Sequence, residues 1–172
     1  MKTALRIAVV ALLSLSLTSC LFKEPVFTSG FSPADPALGG VWMAEGENGD
    51  PREREFAVLA AVGADAYMLH YPAAQKDGTY FEVRPLKIRD KDLWQVRLVA
   101  SFDDGLPGKD TPTYTIAWLQ KTPDGKLSVR SLKGEGAHTA GPAQARKALE
   151  DQATDWNTLF GDPQTFTRLP DK

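Results

Sequence analysis

Cys20 is the only cysteine in a chain of 172 residues, and its thiol is the most reactive group the sequence offers. A lone thiol forms no disulfide within the chain and no thiolate metal site, and left free in an oxidising compartment it would be an anomaly. The residues before it are ordered: Lys2 and Arg6, an apolar run from Ile7 to Leu17, then Thr18-Ser19. That is the layout of a secretory signal. At about 1.5 Å per residue such a run covers roughly half of the ~30 Å hydrocarbon core, too short for a stable transmembrane helix. Residues 1–19 are therefore expected to be a cleaved signal peptide.

The other groups that could do chemistry are scattered. His70 sits between Leu69 and Tyr71, and His138 lies in a glycine-rich stretch with Gly134, Gly136 and Gly141, too far apart in sequence to suggest a shared metal. Asp103-Asp104-Gly105 and Asp110 could gather oxygens around calcium. An EF-hand loop, however, needs acids at alternating positions and a closing Glu, so a turn is the better reading. Lys133-Gly134-Glu135-Gly136 lacks the strand-to-helix setting of a phosphate loop, and Ser101, Ser128 and Ser131 lack a Gly-x-Ser-x-Gly context. No catalytic residue, no cofactor and no metal ligand is expected, and the chain is not read as an enzyme.

Charge narrows the partners. Lys2 and Arg6 fall in the signal, so the 20 basic residues become 18 against 22 acidic ones, a net charge of −4 beyond it. A mildly acidic surface argues against nucleic acid and against electrostatic adhesion to anionic lipid. The 153 residues left after a 19-residue signal suit one globular domain.

Residues 20–38, with Pro25, Pro33 and Pro36 among Gly and Ser, show neither strand nor helix period and read as a tether. Fully extended, such a segment reaches at most about 60 Å. Phe22, Phe27 and Phe31 complicate that reading, because they would favour docking on the domain or dipping into a membrane.

The elements that must position these residues begin at Gly39, and residues 39–172 are read as one β-rich domain. Strands are expected over Gly40–Glu45, Glu55–Val62, Ala66–Tyr71, Thr79–Ile88, Leu93–Phe102, Thr113–Gln120, Leu127–Leu132 and Gln164–Leu169. Asp124-Gly125 predicts a hairpin, since those residues tolerate the positive φ of a tight turn, and Gly63-Ala64-Asp65 and Arg89-Asp90-Lys91-Asp92 predict two more.

Alternation puts Trp94, Val96, Leu98, Ala100 and Phe102 on one face with Gln95 and Arg97 on the other. Tyr114, Ile116 and Trp118, and earlier Tyr67, Leu69 and Tyr71, are expected to continue the buried face, the opposite face being wet. The set Tyr67, Tyr71, Phe81, Trp94, Tyr114 and Trp118 reads as core rather than cavity lining. Phe81 and Val83 fall out of step with Leu86 and Ile88 across Pro85, which predicts a bulge or an edge there. Pro142 opens an amphipathic helix expected over Ala143–Trp156, with Ala145, Leu149 and Trp156 on its apolar side. The fold class is thus mainly β: an antiparallel meander of about eight strands closing as a small or lipocalin-like barrel, with one helix before the last strand.

Two resemblances add to this. Leu17-Thr18-Ser19-Cys20 resembles the lipobox of bacterial lipoproteins, an aliphatic residue and two small ones before the cysteine. The resemblance implies that Cys20 takes a diacylglyceryl group and becomes the first residue after cleavage; a plain Ala-x-Ala signal would leave it incidental. At about 0.8 kcal/mol per buried methylene, two or three acyl chains make desorption negligible. Leu21 rather than Asp follows, and in a host with two membranes the resemblance then implies the outer membrane, facing the periplasm.

Second, Gly40-Val41-Trp42 on the first strand, the meander, the helix and Arg168 on the last strand look like the lipocalin layout, in which that arginine packs across the tryptophan. The family's second motif is not found. Two functions follow from these readings, with an enzyme a distant third. One is an envelope structural or interaction module with a protein partner; the other is a carrier of an apolar small molecule.

Overall fold

The computed structural model describes residues 21–44, 54–73, 78–101, 105–109 and 111–170. Eight antiparallel strands close a barrel in chain order. They are β1 (Gly40–Ala44), β2 (Glu55–Ala61), β3 (Tyr67–Ala73), β4 (Thr79–Ile88), β5 (Lys91–Ser101), β6 (Tyr114–Lys121), β7 (Leu127–Ser131) and β8 (Gln164–Arg168). The expected meander, its closure and a helix before the last strand are all present. Phe102 and Glu45, expected at two strand ends, lie outside the described residues, as do the signal and Cys20.

Turn chemistry explains the order. Arg89 and Asp90 both take positive φ, 52° and 62°, and connect the paired residues Ile88 and Lys91. Two such residues give a turn whose twist matches the strands it joins. Gly125, at φ 79°, turns the Thr122–Lys126 hairpin. Closure follows when β8 pairs with β1 through Trp42↔Arg168, Met43↔Thr167 and Ala44↔Phe166, which removes both free edges at the seam.

On β4, β5 and β6 the barrel is buried on both sides, which corrects there the expectation of one wet face, while the outer positions Val41 and Val58 on β1 and β2 are exposed as expected. Inside, all eight strands contribute, with Trp42, Leu59, Tyr67, Val83, Trp94, Leu119, Leu127 and Phe166 among the buried side chains. Outside, Leu93, Ile116 and Trp118 are buried beneath Phe22, Phe27, Leu149, Trp156 and Phe160. The ladder pairs Trp94 with Ala117 and Leu93 with Trp118, so Ile116 and Trp118 face outward, opposite to Trp94. Tyr114 packs on the same outer cluster. Sequence alternation showed that one set of alternate positions was apolar but could not show that two different layers covered the two sets.

The same cause explains Pro85. The β4–β5 ladder runs without interruption from Phe81 to Ile88, and its bulge lies at Tyr80/Phe81 instead. Phe81 and Val83 point inward, while Leu86 and Ile88 pack on the outer cluster, so there is no slip. Pro85 does occupy a local edge. Pairing of β3 with β4 ends at Tyr67↔Val83, and the Pro85 carbonyl beyond it accepts from Ser32 N at 2.8 Å. A residue without an N–H costs nothing on that side.

The expected helix over Ala143–Trp156 is two pieces: α1 (Pro142–Glu150) and the single turn α2 (Trp156–Leu159). Asp151 and Asp155 break it by accepting hydrogen bonds from Ala153 N and Asn157 N, both at 3.0 Å, local bonds that compete with helix continuation. The Arg89 guanidinium donates to the exposed carbonyls of Asp151, Gln152 and Thr154 at 2.6, 3.2 and 3.0 Å. Ala145 and Leu149 on α1 and Trp156 on α2 are buried as expected.

The segment read as a tether is a strap laid against the barrel. Its start caps the upper edge of β6, where Phe22 bridges Tyr114 beyond the reach of β7. Its middle crosses β5, and Phe31 then bridges Leu86 on the bare edge of β4. Phe22, Val26 and Phe27 are all buried, so the folded domain takes in the strap as well as residues from 39 on.

Candidate functional site

Trp42 and Arg168, the pair expected from the sequence, are direct cross-strand partners. Trp42 is buried inside the barrel and its Nε1 donates to Leu38 O at 2.9 Å. Arg168 Nη1 donates to Ala37 O at 3.0 Å. Its guanidinium lies against Gly40, where an added Cβ would stand 3.2 Å from Nε. Gly40 has φ 127°, so glycine is favoured there by conformation as well as by space.

Both side chains thus hold one 3-10 turn, Pro36–Leu38, which also reaches the opposite side of the ring. The Tyr67 hydroxyl, on β3, donates to Asp35 O at 3.0 Å, and Lys121 at the end of β6 pairs with Asp35 at 3.3 Å. The Asp35 carboxyl is held below its ordinary range by the Ala37 N–H first and by Lys121 next. A segment that touches β1, β3, β6 and β8 together lies across the barrel mouth, and this one closes it.

The other end of the interior carries a polar network. Tyr71 donates to Glu55 and accepts from Gln164 Nε2 at 3.0 Å, while its ring meets Phe166 edge-on at 6.0 Å. Burial, and then the bond to Glu55, push the Tyr71 phenol up. Through these contacts the Tyr71 phenol ties β2, β3 and β8 together at this end of the interior.

Two open grooves of about 340 and 330 Å³ lie on the outer face, beside the strap. Between them Glu82 accepts from Arg84 Nε at 2.7 Å and from Arg97 Nη2. Burial raises the Glu82 carboxyl, but the two guanidiniums outweigh it and leave the group below its ordinary range. Arg84 also covers the Phe31 ring at 5.2 Å. Glu82, Arg84 and Arg97 thus pair with one another along the groove walls, which present polar contact surface.

The remaining sequence candidates are dispersed. His70 is on β3, stacked on Tyr80 with centroids 4.5 Å apart, whereas His138 lies between β7 and α1 with Nε2 3.0 Å from Lys133 O. Among the described residues no group of three His, Cys, Asp or Glu is placed to hold a metal. Ser101 ends β5, and Ser128 and Ser131 are on β7. Asp103, Asp104, Asp110 and Cys20 lie outside the described residues.

Sequence reasoning missed Gln95. It is only 5% exposed, and its amide exchanges two bonds with the strap: Phe27 N to Oε1 at 2.8 Å and Nε2 to Phe27 O at 3.0 Å. The available signal was three phenylalanines in an otherwise polar, proline-rich stretch. No protein-family model, curated protein or solved structure matches the chain.

Proposed function

We propose that the chain is a lipid-anchored protein of the bacterial cell envelope, carried by acyl groups on Cys20. It faces the periplasm from the outer membrane, and its barrel serves as a structural or protein-interaction module without catalysis. The observation that favours a module over a carrier is the filled interior. Tyr67 and Val83 have no exposed surface, and Trp42, Leu59, Trp94, Leu119, Leu127 and Phe166 occupy the space around them. An eight-stranded barrel is just wide enough for side chains to fill it or to hold one small ligand, so the packed side chains around Tyr67 and Val83, and not the strand number, favour a module; a small-molecule carrier needs a concavity of about 300 Å³ or more. The two grooves of that size open on the outer face, beside the strap.

A second reading, an apolar carrier with a lipocalin-like barrel, draws support from the pairing of Trp42 with Arg168 and the mouth-closing turn they hold. The filled interior weighs against it.

The anchor is tested with Cys20→Ala. Acylation of the thiol precedes cleavage in the lipoprotein route, so the variant is expected to persist as an unprocessed precursor lacking the acyl mass. Normally processed Cys20→Ala protein in the soluble fraction would contradict the proposal. For the intact protein, density fractionation is expected to recover it with outer membranes, and recovery mainly in inner membranes would remove that part of the reading.

A further inference from the structure

The chain becomes fixed almost as soon as Cys20 is passed. Phe22 N donates to Tyr114 O at 2.8 Å, and Thr113 N and Tyr114 N donate to Phe22 O at 2.9 and 3.0 Å. The Phe22 ring is buried in the outer cluster. Cys20 is two residues upstream, so even at full extension its α-carbon lies within roughly 7 Å of that of Phe22. Downstream there is no slack to recover, because the strap is held again at Phe27 by Gln95, at Ser32 by Pro85 and at Ala34 by Ala64.

Resting on the lipid-anchor reading above, we infer that the domain sits flush on the bilayer, and that the pole around Phe22 is a membrane-contact surface with Leu21 and Leu106 as its apolar probes. Leu21 is 52% exposed and stands between the anchor and the first fixed residue. Leu106 is 79% exposed, in the β5–β6 connection whose far end, Thr113, bonds Phe22. Pro107, its neighbour, lines the same groove as Lys23 of the strap. Single exposed apolar residues are ordinary, and Val62 at the opposite pole is 43% exposed; what distinguishes Leu21 and Leu106 is their place beside the anchor, where each apolar side chain that enters the lipid interface adds to binding.

The contact is apolar rather than electrostatic. Lys23 and Lys109 line one groove, but the chain beyond the signal carries a net charge of −4, which argues against adhesion to anionic headgroups. The turns after β2, β4 and β6 form the opposite pole and face away from the membrane.

The lone cysteine makes the test clean, because acylation consumes it and an introduced thiol is then unique. Lipidated full-length protein carrying Leu106→Cys, labelled with an environment-sensitive fluorophore, is reconstituted in phosphatidylcholine vesicles and compared with Ala64→Cys in the β2–β3 turn. The label at position 106 is expected to shift to the blue, to gain intensity several-fold and to be quenched by nitroxide lipids, while that at position 64 stays in water. The same shift on vesicles containing phosphatidylglycerol supports an apolar contact, and a shift seen only with the anionic lipid overturns it. Acylated protein in which position 106 is as wet as position 64 overturns the flush seat and leaves the anchor standing. Protein without acyl mass at residue 20 overturns both.

Discussion

Trp42 ties three elements together through one indole. Its ring fills the barrel beside β8, its backbone belongs to β1, and its Nε1 fixes the carbonyl of Leu38 in the turn across the mouth. Arg168 takes the neighbouring carbonyl of Ala37 from the opposing strand. Removing either side chain loosens the turn that the other holds, so the two should not act independently. In a double-mutant cycle of Trp42→Ala and Arg168→Ala, unfolding free energies are expected to be non-additive by about 0.5–2 kcal/mol. Additivity within error would show that the shared turn transmits nothing.

The pairing of Trp42 with Arg168 was legible only through the lipocalin resemblance, which couples Gly-x-Trp near the start to an arginine on the last strand. Its acceptors were not, since Ala37 and Leu38 contribute backbone carbonyls that no residue type announces. Cys20 is the opposite case, where sequence carries the whole argument.

Among the elements, the strap is the one whose role the sequence conceals. Strand boundaries and hairpins were readable because turn residues report φ directly, as Asp124-Gly125 and Arg89-Asp90 do. Face assignment on β5 and β6 was not, because it depends on what lies over the barrel. Gln95 looked like a wet position, yet it is the residue that binds the strap, donating to Phe27 O and accepting from Phe27 N. The helix was overextended for a related reason, as Asp151 and Asp155 sit at helical spacing but spend their carboxylates on local backbone.

Gln95→Leu preserves volume and removes both bonds, leaving a buried N–H and a buried C=O without partners. At about 1–3 kcal/mol for each orphaned group, denaturant unfolding should show a loss of roughly 2–6 kcal/mol. A loss below about 1 kcal/mol would mean that the strap is held by its phenylalanines alone. The strap thus seals the two bare stretches of edge on β6 and β4, where exposed backbone would otherwise invite pairing with other chains.

At the scale of the molecule, the barrel packs side chains from all eight strands inside and lays the strap and helices over the outer face of β4–β6. The lipobox-like start and the net charge of −4 beyond the signal support the proposed reading of a protein held at a membrane through acyl groups on Cys20 rather than by surface charge. Native mass spectrometry of the protein extracted in detergent from its own envelope tests this most directly. The account predicts a chain beginning at Cys20, heavier by its acyl chains, with no small molecule retained. A chain without acyl mass, or one that carries a stoichiometric apolar ligand inside an intact barrel, would contradict it.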